Sequence, residues 1–404
     1  MQESLFLNSR AALLPAGFLA LGTFAIGTEG FMIAPLLPVM AKDFALPVPT
    51  VAMLVIVFTL VLALSSPITT VATGRIRRKQ VLLLAMSLFA IGNGVAALSS
   101  SFELMIGARI LMAVAAGLYV PAANGLAGII VPPSLRGRAL AIVSAGQTLA
   151  IALGLPLGGM IGHVFGWRAT FALVCGMSVI AIGGIAVGVA REAGQGATVA
   201  SLRERVSVIR QRPVLRLLAV SLFWAIGAFT VYPYIAEYLG AVLDFGPNAI
   251  TATLSLWGVS AAAGVLTGGV LNDRFGARQV VRGSLLLLSL SFLGLALAAG
   301  LPPGVVLVPV LFSIAIWGFT VWSFFPAQMA RLIGAGAPTQ APVALALNTS
   351  TMYIGFSVGS SLGAVVLGTG AIFGIGIVAA LAELAALGLN ARLEKSSELQ
   401  HQSI

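Results

Sequence analysis

No charged side chain occurs between Asp43 and Arg75, between Arg282 and Arg331, or between Arg331 and Glu383. Uncharged stretches of this length constrain the fold more than any other feature. A helix needs about 20 apolar residues to cross the hydrocarbon core of a bilayer, and such windows recur along the whole chain. Only 8% of the 404 residues are charged, and 59% are hydrophobic. A soluble domain carries about 25% charge, so these few ionisable groups cannot cover a water-exposed surface of this size. The runs are too long for strands and lack a period of two. The expected fold is an all-α integral membrane protein.

Twelve spans are expected, at 13–40, 49–73, 80–98, 103–130, 138–162, 168–190, 215–242, 248–272, 280–300, 304–331, 341–368 and 371–391. The opening MQESLFLNSRAALLP leads into an apolar run that reaches Pro38. That run is too long for the core of a cleaved signal, and no small-residue cleavage site follows it. Cys175 is the single cysteine, so no intrachain disulfide forms.

The net charge of +10 raises the possibility of a nucleic-acid partner, but the positions of the charges argue against it. With the N-terminus inside, 19 of the 22 basic residues fall on inward loops or ends. Among them are Arg75, Arg77, Arg78 and Lys79, then Arg136 and Arg138, then the arginines of 191–216. The positive-inside rule then places both termini in the cytoplasm, in the inner (cytoplasmic) membrane. The partners expected are a small-molecule substrate, protons and membrane lipid, with no nucleic acid and a monomeric chain.

The longest polar stretch, 191–213, divides a six-helix bundle at 1–190 from a second at 214–404. Within it Val199, Leu202, Val206 and Ile209 recur at helical spacing. Two readings fit: an amphipathic helix on the inner membrane surface, or a charged linker without fixed structure.

An internal repeat relates the halves. TTVATGRIRRKQVL at 69–82 and GGVLNDRFGARQVV at 268–281 share Val71/Val270, Arg75/Arg274, Gln80/Gln279 and Val81/Val280. Both fall on the second inward loop of their half. Such duplication implies two pseudo-symmetric six-helix bundles related by an axis along the membrane normal.

These residues resemble the loop signature G-x-x-x-D-R-x-G-R-R of the major facilitator superfamily. The second copy fits through Gly269, Asp273, Arg274, Gly276 and Arg278. The first keeps Arg75 but has Gly74 in place of the acid and Arg77 in place of the glycine. ARILMAVAAGLYVPAANG, from Arg109, is similar to the family's R-x-x-Q-G stretch. GQTLAIALGLPLGGMIG is similar to its antiporter signature through Gly154, Pro156, Gly158 and Gly159, with Leu155 between glycine and proline. GWRATF at 166–171, FTVYPYI at 229–235 and ALALNTSTMYIGFSVGSSLGA at 344–364 resemble the arabinose- and purine-nucleoside-efflux subgroup. The resemblance implies proton-coupled export by alternating access, with Arg109 in proton relay. It also implies that the loop acid bonds across helices and steadies one conformation.

Gly154, Gly158 and Gly162 follow helical spacing, as do Gly355, Gly359 and Gly363. Such stripes let helices approach closely. They serve either as a sliding surface between the halves or as static packing. Pro156 frees a backbone carbonyl and should bend its helix.

Three charges inside spans are candidates for proton coupling: Glu29, Arg109 and Glu237. A charge at the depth of Glu29 costs at least ~2.5 kcal/mol. It either takes up and releases protons and draws in a cationic substrate, or stays as a neutral acid bonded to a neighbouring helix. Arg109 is permanently charged and needs an acceptor, whether Glu29 or backbone carbonyls. Glu237 lies in the seventh span, the symmetry partner of the first, so the two acids are expected to face one cavity. Arg168 reads as an anchor at the outer surface, and Glu383 as an interfacial residue near the inner end of the last span.

The candidate substrate-contacting residues are Glu29 with Phe31, Met32, Phe58, Trp224, Phe229, Tyr234, Tyr238 and Trp257. The intramembrane amides Asn124, Gln147, Gln328 and Asn348 contact substrate or bond helix to helix. The aromatic surplus favours amphipathic, drug-like compounds over sugars or nucleosides. Uptake by proton symport is the reading run in reverse. There is no H-E-x-x-H and no G-x-x-x-x-G-K-[ST], so neither an enzyme, a metal, a cofactor nor ATP-driven pumping is expected. The topology predicts that a green fluorescent protein fused to the C-terminus fluoresces, while alkaline phosphatase fused there stays inactive; the opposite pair of results would place that end outside.

Overall fold

The computed structural model describes residues 2–190 and 201–402. Among them are twelve helices long and apolar enough to span a membrane. They are Leu13–Asp43, Val48–Ala72, Arg78–Leu98, Phe102–Ala127, Arg136–Val164, Trp167–Gly188, Arg212–Leu243, Pro247–Phe275, Ala277–Ala298, Pro303–Ile333, Ala341–Gly368 and Ile372–Leu393. These twelve are numbered below as the first to twelfth spans. Their outward faces remain apolar: Val187 is 90% exposed and Leu98 84%. Such side chains suit lipid, which offers hydrocarbon where water would not.

Local chemistry sets the ends of the helices. Ser101 caps the fourth span by accepting from the Leu104 amide at 3.2 Å. Lys79 donates to the Ala186 and Val189 carbonyls at 2.6 and 2.5 Å, satisfying the open end of the sixth span. Arg168 donates to the Ser99 carbonyl at 3.0 and 2.8 Å and lies over the Trp167 ring. It therefore ties the sixth span to the 99–101 loop.

The two copies of the loop repeat differ in backbone. Gly276 sits at φ +81°, a conformation that favours glycine. Arg77, at the corresponding place, has φ −59° and needs none. This accounts for the missing glycine in the first copy. Asp273 is exposed and makes no hydrogen bond or ion pair to a described residue. The second copy thus lacks, among the described residues, the cross-helix bond that the family resemblance implies, while Lys79 gives the first copy its tie across helices.

The chain forms two compact units. One holds the chain up to Ile33 and from Leu64 through the sixth span. The other holds Ala34–Ala63 and the chain from Ser201. The second unit therefore takes in a segment that lies before the polar stretch 191–213. Ser357 Oγ donates to the Ile56 carbonyl at 3.2 Å within it. Residues 191–200, with Arg191 and Val199 of the expected surface helix, lie outside the described residues. The remainder forms the helix Leu202–Ile209, opened by a capping box in which Ser201 and Glu204 bond reciprocally. Those hydrogen bonds from the Ser201 backbone and hydroxyl hold the exposed Glu204 carboxyl below the usual range. Val208 turns inward and Val206 outward.

Each unit packs the same way inside. In the first, Gly154 and Gly158 lie on the first span: a built Cβ would fall 3.1 Å from Thr28 Cα at one and 2.9 Å from Met32 Cα at the other. In the second, Gly355 lies on the seventh span, its built Cβ 2.7 Å from the Leu222 carbonyl oxygen. Of the two readings of these stripes, the structure favours packing: each of these glycine faces is filled by a span of its own unit. The fifth span runs through Pro156 without interruption. Gly355→Ala should lower stability by about 1–3 kcal/mol, read as a lower melting temperature in detergent. Gly176→Ala, with nothing within 4 Å of its built Cβ, should leave stability unchanged or raise it.

Candidate functional site

Glu29 and Arg109 form a salt bridge in the first unit. Both are buried, at 0% and 1% exposure. Glu29 lies near the middle of the first span, and Arg109 about two turns into the fourth. The first span is held in place by side chains aimed at backbone oxygens. Thr23 donates to the Val143 carbonyl at 2.9 Å and Tyr119 to the Leu19 carbonyl at 3.2 Å. Small residues on the fifth span then let Glu29's turn come close, and Gln147 lies beside Gly27. Of the two acceptors open to Arg109 in the sequence, the structure includes the carboxylate.

Such a pair is poised electrostatically. Each charge is costly to bury alone, and the attraction offsets that cost only while both are present. Protonating the carboxylate leaves a permanent cation to be satisfied elsewhere. The pair can therefore convert proton binding into a change of helix contacts.

The second unit gathers aromatic side chains. Trp224 stacks on Phe324 at 4.7 Å, and Phe229 on Phe356 at 3.8 Å. Phe356 also meets Trp224 at 6.1 Å, and Phe229 meets Tyr232 at 5.1 Å. From Tyr232 the series continues to Trp257, Trp317 and Phe292. The structure thus joins Trp224, Phe229 and Trp257, singled out in the sequence, into one continuous set. The indole nitrogens of Trp224 and Trp317 are buried without a hydrogen-bond partner among the described residues. Those donors, and the flat ring faces, can meet an aromatic molecule with acceptor atoms.

Other candidates are differently placed. Tyr234 donates to the Ser360 carbonyl at 2.5 Å and Tyr238 to the Leu295 carbonyl at 2.6 Å. Both are fully buried, so their hydroxyls join helices instead of lining a wall for ligand. The i and i+4 spacing also breaks, because Tyr232–Tyr234 is a 3-10 turn between Arg212–Val231 and Ile235–Leu243. Gln328 donates to the Leu217 carbonyl at 2.8 Å and to Ser221 Oγ at 3.0 Å, a helix-to-helix role. Asn348 is buried, with its amide 3.2 Å from Met352 Sδ and its Oδ1 without a hydrogen-bond partner among the described residues. Asn124 is exposed and Glu237 half-buried. Phe31, Met32 and Phe58 are buried, with Met32 seated on Gly158. Glu383 corrects the sequence reading: it is fully buried against Gly227, midway along the seventh span, not interfacial.

Phe324, Phe356 and Trp317 were not legible as site residues. Trp317 and Phe324 are seven residues apart, two turns on one face, which is the signal that could have found them.

The fold and the buried pair define a helical membrane transporter built from two repeated halves. The chain matches the family model of the Major Facilitator Superfamily over residues 19–360 and belongs to that family. It is a transporter and not an enzyme. A chloramphenicol resistance protein of Streptomyces lividans is 29% identical, across 92% of this chain and 95% of that one. A probable sugar efflux transporter of Helicobacter pylori strain G27 is 27% identical, across 88% and 89%. Among solved structures, a bacterial homologue of the human lysosomal transporter Spinster, inward-facing and unoccupied, superposes with a TM-score of 0.74. It is 16% identical over 95% of this chain and 96% of that one, a likeness of fold.

Removing one partner of the buried pair should cost about 3–5 kcal/mol. Arg109→Ala should lower the melting temperature in detergent sharply, while the double variant Glu29→Gln/Arg109→Gln should recover most of the loss. A double variant as unstable as the sum of its single changes would contradict the pairing.

Proposed function

We propose that this protein is a proton-coupled exporter of small amphipathic, drug-like compounds, working by alternating access in the cytoplasmic membrane with both termini inside. The observation that carries this reading is the Glu29–Arg109 salt bridge in the membrane interior. A proton arriving at Glu29 neutralises the carboxylate and releases Arg109 to other acceptors. A cationic or strongly dipolar substrate competes with the proton for the same carboxylate. Exchange of one for the other lets a proton gradient drive export, with no ATP involved.

The substrate class is supported by the stacked rings of the second unit and by two buried indole donors without partners. The chloramphenicol resistance relative points the same way, since chloramphenicol carries an aromatic ring and acceptor atoms. A second reading, export of sugars, is favoured by the Helicobacter relative. The buried amides Gln328 and Asn348 are few for a sugar site, and Gln328 spends its donor group on the seventh span.

Inside-out vesicles with an acid interior separate these readings. Wild type should accumulate rhodamine 6G or chloramphenicol, and an uncoupler should release the load. Glu29→Gln at equal abundance should lose about tenfold or more of that uptake, a barrier change of ~1.4 kcal/mol. Equal uptake by this variant would remove Glu29 from coupling. Movement of a labelled pentose, with neither drug carried, would favour the sugar reading.

A further inference from the structure

Glu383 lies on the twelfth span, roughly 16 Å along the axis from Ile372 in a helix that continues to Gln402, and it meets Gly227 midway along the seventh span. It is fully buried, and neither carboxyl oxygen has a hydrogen-bond partner among the described residues. The twelfth span packs on the seventh, ninth and eleventh. From the seventh, Gly227 meets the acid directly: a built Cβ would lie 2.5 Å from Glu383 Oε1 and 3.0 Å from its Cδ. A side chain at this position would displace the carboxyl group from its seat.

The charged groups on these elements are distant. On the seventh span they are Arg212 and Arg216, exposed near its start, and the half-buried Glu237, ten residues past Gly227; on the ninth they are Arg278 and Arg282, exposed near its start. The eleventh span has no charged residue, and its Tyr353 meets Phe356 edge-on. Farther along the twelfth span are Arg392, near its end, and Asn390, which accepts from Arg331 at 2.6 Å. Asn390 is about 10 Å beyond Glu383 along the axis. Among the described residues no cation pairs with this acid as Arg109 pairs with Glu29. An ionised carboxylate here would be a buried, unpaired charge, costing several kcal/mol, whereas the neutral acid forgoes only hydrogen bonds.

The loop repeat places this site. Its offset of 199 residues, from Arg75 to Arg274, carries Gly227 back to Thr28, the neighbour of Glu29. Within a turn, both units hold a carboxyl group at one level of their repeated span. The first unit carries it on that span, and the second supplies it from the span alongside.

We propose that Glu383 is a proton-binding site of its own, a carboxylic acid that stays protonated at neutral pH in its seat against Gly227. This rests on the proton-coupled reading for what the proton is used for, but not for its presence. The test therefore needs no transport. Infrared spectra of the purified full-length protein in a lipid film at neutral pH should show the C=O stretch of a protonated carboxylic acid. Glu29→Gln should keep that band and Glu383→Gln should lose it. A band unchanged in a folded Glu383→Gln protein would overturn the proposal. The unaltered chain gives a second reading, independent of how the variant folds. Dicyclohexylcarbodiimide reacts with protonated carboxyls in apolar surroundings, and mass spectrometry should find Glu383 modified about tenfold or more above the exposed Glu103. Labelling of Glu383 no greater than of Glu103 would also overturn it. Failure of the exporter reading would appear only in vesicle uptake and would leave both results unchanged.

Discussion

A bilayer does not tolerate an unopposed charge, and the arrangement of this protein follows from that constraint. Spanning helices satisfy their own backbone. Threonine and serine hydroxyls turn back to carbonyls, as Thr59 does to Val55 at 2.8 Å. The charges that remain inside need a partner or must be neutral. Arg109 has Glu29; Glu383 sits against Gly227, with neither carboxyl oxygen hydrogen-bonded among the described residues. The two buried acids therefore mark two solutions to one electrostatic problem.

Duplication gives the same packing twice. The fifth span rests its glycines on the first, and the eleventh rests its glycines on the seventh. The copies have nonetheless diverged in chemistry. The first unit carries the ion pair, while the second carries the stacked aromatic rings. Coupling and recognition would thus be divided between two versions of one scaffold. The loop copies diverge too: Gly276 takes a positive φ that Arg77 avoids.

The spans were legible because charge is so scarce that each cluster of basic residues marks a helix end. Observed bounds fall within a few residues of those expected from Arg78, Arg136, Arg212 and their like. The buried pair was legible in outline, since a permanent cation inside a helix needs an acceptor. Its choice of Glu29 was not, because that depends on how the first and fourth spans pack. Sequence gives the spacing of Tyr234 and Tyr238 but not the 3-10 turn between their helices, nor the carbonyls their hydroxyls reach. The depth of Glu383 was hidden for another reason. The helix continues through Gln402, so no break in the sequence marks where the membrane ends.

The central claim is that Glu29 exchanges a proton against substrate. Proteoliposomes containing a trapped pH-sensitive dye test it most directly. A chloramphenicol or rhodamine 6G gradient is imposed with no initial pH difference, and proton movement is followed as the drug runs down its gradient. Wild type should move protons in the direction opposite to the drug, and Glu29→Gln should pass the drug with no proton movement. Proton movement of wild-type size in the folded Glu29→Gln protein would contradict the account.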